Sequence, residues 1–278
     1  MLAPLDDGHV EIEARLGRSK SKRHFTAEKT PRFHREFSDK QIKRLFKTTE
    51  ATLSRSGFAP LKKMEASILR YSRSADFGYL RILELEGVKK KKLSTALDAI
   101  SSDLRDLRGF IIDIRNNPGG EDSIALMIIN RFADQRRVAF HRRTKVGPEP
   151  NEFTPLKTWY LAPQGTVKFT APIVLLTCDA VFSGAEVFAL AIRELPYVTI
   201  LGEHTNGIFS YQLEKRLPNG WEYCLSYQEY LSADMVCYEG RGVPEDIVLL
   251  NTSADLDAGI DPLIIRSLEL LTSSNARS

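Results

Sequence analysis

Ser183 stands where a short apolar run meets a helical pattern, and a hydroxyl at such a junction can serve as a nucleophile. Val174 to Thr177 reads as a buried parallel strand, and Glu186 to Leu195 carries apolar residues at helical spacing. The turn between them exposes the serine above the sheet edge. There the unpaired amides and positive dipole end of the new helix can stabilise developing negative charge. A second reading competes, because Ser183 to Glu186 is also S-x-x-E, a capping box in which the serine only satisfies an orphan amide. The tetrad by itself favours the cap. The other chemically suggestive stretch is Asp113 to Gly120, DIRNNPGG. Adjacent glycines after a buried strand let a backbone amide approach a ligand closely. The amide of Gly119 or Gly120 could thus form half of an oxyanion hole, with the amide of Gly184 as the other half. Taken alone, the glycine pair reads as a turn.

A hydroxyl nucleophile needs a base, and there are five histidines. His24 and His34 fall in a basic segment and read as solvent-facing, and His141 lies in the basic stretch HRRTK. His204, in the loop after YVTILGE, stands as an alternative base. His9, in Asp6-Asp7-Gly8-His9, reads equally as a base or as a turn residue before a strand. Cys178 ends the strand before Ser183, but its apolar setting raises the thiol pKa and argues against a thiol nucleophile. Cys178, Cys224 and Cys237 show no C-x-x-C spacing, so neither a zinc site nor a disulfide framework is indicated. No metal or organic cofactor is expected.

The elements that must position these groups become readable from Gly78 onward. GYLRILEL predicts a strand, Leu93 to Leu107 a helix, GFIIDIR a strand and Asp122 to Phe132 a helix. Right-handed crossovers place successive strands side by side, with loops gathered at their carboxyl ends. Val138 to Lys145 predicts another strand, Pro148 to Pro163 a Pro-rich bridge, and YVTILGE the strand after the Ser183 unit. LEKRLPNGWEYCLS reads as a hairpin, and Asp261 to Leu271 as a closing helix. Upstream, Val10 to Leu16 alternates like a strand and Ser38 to Ser54 carries a helical pattern with Ser38 as its cap.

The chain has 278 residues, 42% of them hydrophobic, enough for one large α/β domain or a core with a small appendage. Its composition divides it into a basic N-terminal portion, residues 1–75, and an α/β core, residues 76–278. Between Arg15 and Ala75 there are 17 lysines and arginines against 5 acidic residues, although the net charge is only +3. No nucleic-acid motif accompanies this excess, so a basic solvated face or linker, with GRSKSK as a solvated loop, is favoured over a nucleic-acid site. No apolar stretch is long enough to span a bilayer, and MLAPLDDGHV lacks the regions of a signal peptide. The compartment expected from the chain as written is cytoplasmic; an upstream start would make it exported or envelope-associated.

DGHV, GYLRI, GFIIDIRNNPGG, VFSGAE, GEHTNG, LPNGW and YEGRGVPEDI occur in an order and spacing that resembles the carboxy-terminal processing (tail-specific) serine peptidases. The resemblance runs from Gly78 to Leu249 with an outpost at His9, and is to the tricorn and retinoid-binding-protein branch. It implies an α/β fold of the crotonase/ClpP-like kind, a superhelix of βαβ units, here with a small basic N-terminal α+β portion. It implies a serine-type peptidase that acts on peptide or protein through an acyl-enzyme on Ser183. In the Ser/Lys branch a lysine follows the loop glycine, but here Ile208 follows Gly207. The implied set is therefore Ser183 with His9 as base and Glu239, from an E-x-x-G motif, as support, and Gly184, Gly119 and Gly120 as oxyanion hole.

Three departures from the family pattern keep an alternative open. Gly8 replaces the serine that precedes the histidine in that branch, no PDZ module fits between His9 and Gly78, and only eight residues precede His9. The alternative is a catalytically weak or inactive module that binds an apolar ligand or peptide on the same scaffold. Nucleic acid is not an expected partner, and oligomeric state is not readable from the sequence.

Overall fold

Four runs rich in apolar residues form the middle of the largest sheet, where both faces are covered and every residue needs an apolar neighbour. The computed structural model describes residues 7–15, 22–26, 30–64, 66–165, 167 and 169–275. The chain enters through β1 (Glu11–Arg15), β2 (Lys22–Thr26), the short helix α1 (Arg32–Glu36) and α2 (Asp39–Arg55). It continues through β3 (Lys62–Lys63), β4 (Leu69–Arg73), β5 (Phe77–Ile82), α3 (Lys90–Asp103), β6 (Gly109–Asp113) and α4 (Asp122–Ile129). The pair β7 (Arg137–Thr144) and β8 (Lys157–Leu161) precedes β9 (Ile173–Thr177), α5 (Gly184–Ile192) and β10 (Val198–Gly202). The last elements are β11 (Gln212–Arg216), β12 (Glu222–Ser226), β13 (Gln228–Leu231), β14 (Ile247–Val248), α6 (Ser253–Ala258) and α7 (Pro262–Asn275).

The main sheet has the order β14-β10-β9-β6-β5-β4-β3. β14, β10, β9, β6 and β5 are parallel neighbours, and β4 and β3 join antiparallel at one end. Because β6 and β9 are adjacent and parallel, the DIRNNPGG loop and the Ser183 turn leave the same sheet edge. The expected strands and helices of this core are present, as is the hairpin, which is β11 paired with β12. Ser38 and Gln41 form the capping box of α2.

Two expectations are modified. The Pro-rich bridge contains a strand, β8, whose Trp159 stacks on Phe140 of β7 at 5.3 Å; this cross-strand aromatic pairing outweighs the flanking prolines. The composition boundary at residues 75 and 76 falls in the turn between β4 and β5, where Arg73 pairs with Gly78, so the main sheet runs across it. β1 in turn pairs with β12, Glu11 opposite Cys224, in a four-stranded sheet built from both halves of the chain. Residues 17–21 of the GRSKSK stretch lie outside the described residues.

Below the loop edge sits a fully buried guanidinium, Arg115. It meets Asp113 at the end of β6 through Nε at 3.0 Å and Nη2 at 2.6 Å, and Asp261 before α7 through Nη1 at 3.1 Å and Nη2 at 2.9 Å. Asn251 accepts from Nη1 at 2.8 Å, and Tyr79 donates to Asp113 at 2.8 Å. The cluster joins the core sheet to α7, and Thr49 of α2 donates to Asp261 at 2.6 Å. Removing one member leaves charge buried without a partner, which typically costs about 3–5 kcal/mol. Arg115→Ala is therefore expected to lose about 3–5 kcal/mol in urea unfolding; an unchanged midpoint would contradict the role given to this cluster.

Candidate active site

Ser183 has φ 58° and ψ −132°, outside the regions open to most side chains, and it starts α5 without a side-chain capping bond. The absence of that bond corrects the capping reading, and Glu186 has a wider task. Its carboxylate is buried and accepts from Thr205 Oγ1, from the Gly207 amide at 2.7 Å and from the Ile208 amide. The S-x-x-E glutamate thus staples α5 to the loop after β10. That loop in turn holds the serine, whose amide donates to the Ile208 carbonyl at 2.8 Å. Asn206 adds amide bonds to the carbonyls of Val181 and Asp179, at 2.9 Å each. Such over-determination is what maintains a backbone conformation that would otherwise relax.

The glycine pair packs directly on this turn. A Cβ on Gly119 would lie 2.7 Å from the Gly184 nitrogen and 2.8 Å from Ser183 Cβ. A Cβ on Gly184 would lie 2.2 Å from the Gly120 oxygen and 3.0 Å from its nitrogen. Any side chain at either position would force the two loops apart. The Gly119 amide donates to Asn117 Oδ1 at 2.8 Å, whereas the amides of Gly120 and Gly184 donate to no protein acceptor among the described residues. Two free amides therefore stand beside the Ser183 side chain, a setting that favours an anion. Asn117, buried and anchored through its side-chain amide to the Ile82 carbonyl at 3.0 Å, shapes this loop and was not singled out from the sequence.

His9 is buried with its ring edge-on to Phe182, centroids 6.4 Å apart, so the amino-terminal motif reaches the residue before Ser183. Burial lowers the imidazole pKa, opposed by the charge of Asp7 and by the Ser210 backbone. Its Nδ1 has no hydrogen-bond partner among the described residues. Glu239 accepts from the Phe209 amide at 3.2 Å. His9 and Glu239 thus approach neighbouring residues of the segment whose Ile208 carbonyl binds Ser183. No hydrogen bond joins Ser183 to His9, or His9 to Glu239, among the described residues.

The other candidates are engaged elsewhere. His34 Nε2 pairs with Asn116 Oδ1 at 2.7 Å, His141 Nδ1 with Thr158 Oγ1 at 2.9 Å, and the exposed His204 with the Thr205 carbonyl at 2.7 Å. The His24 side chain lies outside the described residues. Burial pushes the Cys178 thiol up to about 12, which leaves it un-ionised. No group of three or more His, Cys, Asp or Glu side chains among the described residues is placed to hold a metal ion. No helix among them is long and apolar enough to cross a membrane. Just past the glycine pair, Asp122 of α4 accepts from Tyr230 Oη at 2.9 Å and Arg142 at 3.1 Å. These three residues are too far apart in sequence for their proximity to have been read beforehand.

Burial pushes Glu186 up to about 7 against hydrogen bonds from the Thr205 side chain and the backbone of Ile208, Gly207 and Ser183, and burial and the Glu186 charge push Glu239 up to about 8. Both folded pKa values lie above the ordinary 4.5, so the unfolded chain ionises first as the pH rises. The stability these groups contribute is complete below 4.5 and is lost as the pH climbs toward 7 and 8. Urea midpoints measured across that range should fall for the wild type and fall less for Glu239→Gln; an unaltered slope in the variant would remove Glu239 from the account.

The sequence profile of peptidase family S41 matches residues 76–249. The carboxy-terminal processing protease CtpA of Bacillus subtilis (strain 168) is 27% identical over 179 residues, 64% of this chain and 36% of that protein. The carboxy-terminal-processing protease of Bartonella bacilliformis is 25% identical over 212 residues, 72% of this chain and 47% of that protein. The chain thus spans between about a third and a half of the length of these curated relatives. A solved structure from Parabacteroides merdae ATCC 43184 superposes with a TM-score of 0.78 at 24% identity, covering 97% of this chain and 79% of that one. A likeness at that identity establishes a shared mixed α/β fold.

Proposed function

Because the chain belongs to peptidase family S41, we propose that it is a serine-type peptidase that forms an acyl-enzyme on Ser183, on a core of the crotonase-like superhelical kind. The observation that carries this reading is the Ser183 turn: a positive-φ serine free of capping duty, with Gly119 packed against its Cβ. In the mechanism that follows, neutral His9 takes the Oγ proton as Oγ attacks the peptide carbonyl. The amides of Gly184 and Gly120 receive the oxyanion, and the Gly119 amide instead fixes the loop through Asn117. The imidazolium then gives its proton to the leaving amine, and water releases the acyl group by the same steps in reverse. Glu239 supports the base through the backbone at Phe209, and the charge of Asp7 favours the imidazolium as it forms. The substrate is a peptide or protein segment, which would enter extended against a sheet edge.

One observation favours a second reading. Ser183 and His9 share no hydrogen bond among the described residues, as expected of a scaffold that binds peptide or an apolar ligand without cleaving it. Labelling separates the two. A fluorophosphonate should modify the wild type at Ser183 and leave Ser183→Ala untouched. His9→Ala should slow labelling by about 10²- to 10⁴-fold; undiminished labelling would exclude His9 as the base, and no labelling of the wild type would select the binding module. Because burial lowers the His9 pKa, the acid limb of kcat/KM should fall below the ordinary 6.5. An acid limb above that value would contradict a desolvated base.

A further inference from the structure

The nucleophile turn borders a cavity of about 790 Å³, lined by Phe182 beside Ser183 and by Ile42 and Phe46 of α2. The residues after the glycine pair meet a different neighbour, the three-stranded sheet β13-β7-β8. That sheet supplies a buried polar cluster to which the peptidase reading assigns no task. Tyr230 of β13 and Arg142 of β7 stand opposite one another in the ladder, and both reach the carboxylate of Asp122, the first residue of α4. Tyr230 Oη donates to Asp122 Oδ2 at 2.9 Å, and Arg142 Nη1 donates to the same oxygen at 3.1 Å and to Tyr230 Oη at 3.0 Å. Because arginine can only donate, Arg142 directs the phenol proton to Asp122; Gln228 Oε1, at 3.4 Å, is the longer alternative. Tyr230 and Asp122 are buried, so no solvent stands ready to replace a lost bond.

Asp122 lies two residues beyond Gly120, and the chain between them is also pinned by the residues after β5. The Leu85 amide donates to the Gly119 carbonyl at 2.7 Å, and the Glu121 amide donates to the Leu85 carbonyl at 2.8 Å. A parallel bridge of this kind uses the groups on either side of Gly120 and leaves Gly120's own amide to the other side, where Gly184 packs. The bridge sets which way that amide faces, and Asp122 anchors the end of its loop.

The same tyrosine touches the other half of the site. Its ring centroid lies 6.3 Å from that of Phe209, whose amide donates to Glu239 and whose neighbour Ile208 accepts the Ser183 amide. Ser210 adds a second tie, because its Oγ accepts from the Tyr227 and Gln228 amides, at 2.9 Å each, where the chain enters β13. Phe140 packs on the Tyr230 ring at 5.6 Å, and Arg142 lies over Trp159 at 4.4 Å, so both donors to Asp122 are themselves held. A fixed phenol thus stands between the glycine loop and the segment that carries the serine.

We propose that Tyr230 is a positioning residue: its hydroxyl, through Asp122, and its ring, through Phe209, set the distance between the Gly120 amide and Ser183. The proposal rests on the peptidase reading for the use made of that amide, which is to receive the charge on the substrate oxygen. Tyr230 acts only through its two neighbours.

Tyr230→Phe removes one oxygen and keeps the ring against Phe209 and Phe140, so it cuts the link to the glycine loop alone. Fluorophosphonate labelling across a range of reagent concentrations yields a maximal rate, kinact, and a half-saturating concentration, KI. In this variant kinact should fall about 10- to 100-fold while KI stays within about twofold, the pattern of an interaction used only in the transition state. A hydrogen bond that served stability alone would lower the urea midpoint and the fraction of molecules that label, and would leave kinact where it was. Asp122→Ala severs the same link from the other end and should show the same fall, which keeps the test decisive if Tyr230→Phe does not fold. Asp122→Asn retains an oxygen for the phenol and should recover most of the rate. Combining Tyr230→Phe with Asp122→Ala should cost no more than Asp122→Ala, because the two residues act as one link. Hydrogen exchange needs no reaction: peptides over residues 117–122 should exchange about 3- to 10-fold faster in Tyr230→Phe, and those over β9 should not change. An unaltered kinact, or exchange over 117–122 equal to that of the wild type, would overturn the proposal. If the wild type resists the reagent, the peptidase reading falls, and exchange alone decides whether Tyr230 holds the loop.

Discussion

The buried contact of Arg115 with Asp113 and Asp261 is the constraint on which the rest of the molecule leans. It lies inside the chain segment that ends in the glycine pair, and its partners come from the end of β6 and the start of α7. Thr49 of α2 joins the same carboxylate, and Arg115 also approaches the Phe46 ring to 5.8 Å. One guanidinium thus fixes both the loop beside Ser183 and the helix that walls the neighbouring cavity. Desolvating so many charges is repaid only when every one is paired, so the site and its surroundings form together or not at all.

Above this cluster the serine turn is held by backbone bonds more than by side chains. Glu186 gathers Thr205, Gly207 and Ile208, and Ile208 receives the serine amide. The tetrad S-x-x-E therefore does more than a capping box: the serine side chain makes no cap bond, and the glutamate organises a loop about twenty residues further on. Strain at Ser183 and close approach at Gly119 are two aspects of one packing arrangement, since a side chain at the glycine would collide with the serine Cβ. The same arrangement leaves the amides of Gly120 and Gly184 without a protein acceptor among the described residues.

The distribution of charge acquires a structural sense in the same way. The basic excess of the first quarter of the chain is not spread over an arbitrary surface. Part of it lies on α2, facing the cavity that Phe182 closes from the other side. Arg32 of α1 pairs with Glu203 at 2.9 Å and brings a further piece of that segment against the loop after β10. The N-terminal portion is thereby built into the surroundings of the site, as β1 is built into the sheet with β12.

Much of this was legible in sequence wherever the determining interactions are local. Alternating and continuous apolar runs announced β5, β6, β9 and β10, the Asn-Gly turn announced the β11–β12 hairpin, and the parallel order brought two loops to one edge. Ser183, Gly184, Gly119 and Gly120 were singled out because strand-to-helix junctions and paired glycines have short-range signatures, and the structure packs them against one another. What only the tertiary structure decided were the partners. Glu186 binding to Gly207, Arg115 to Asp261, β1 to β12, and His9 lying against Phe182 all join residues too far apart for spacing to relate them. The Gly119 amide was equally unreadable, because whether it is free depends on a side chain two residues away whose rotamer is set by β5. Local pattern determines which element forms, whereas the pairing of buried polar groups is settled only when distant segments exclude water together.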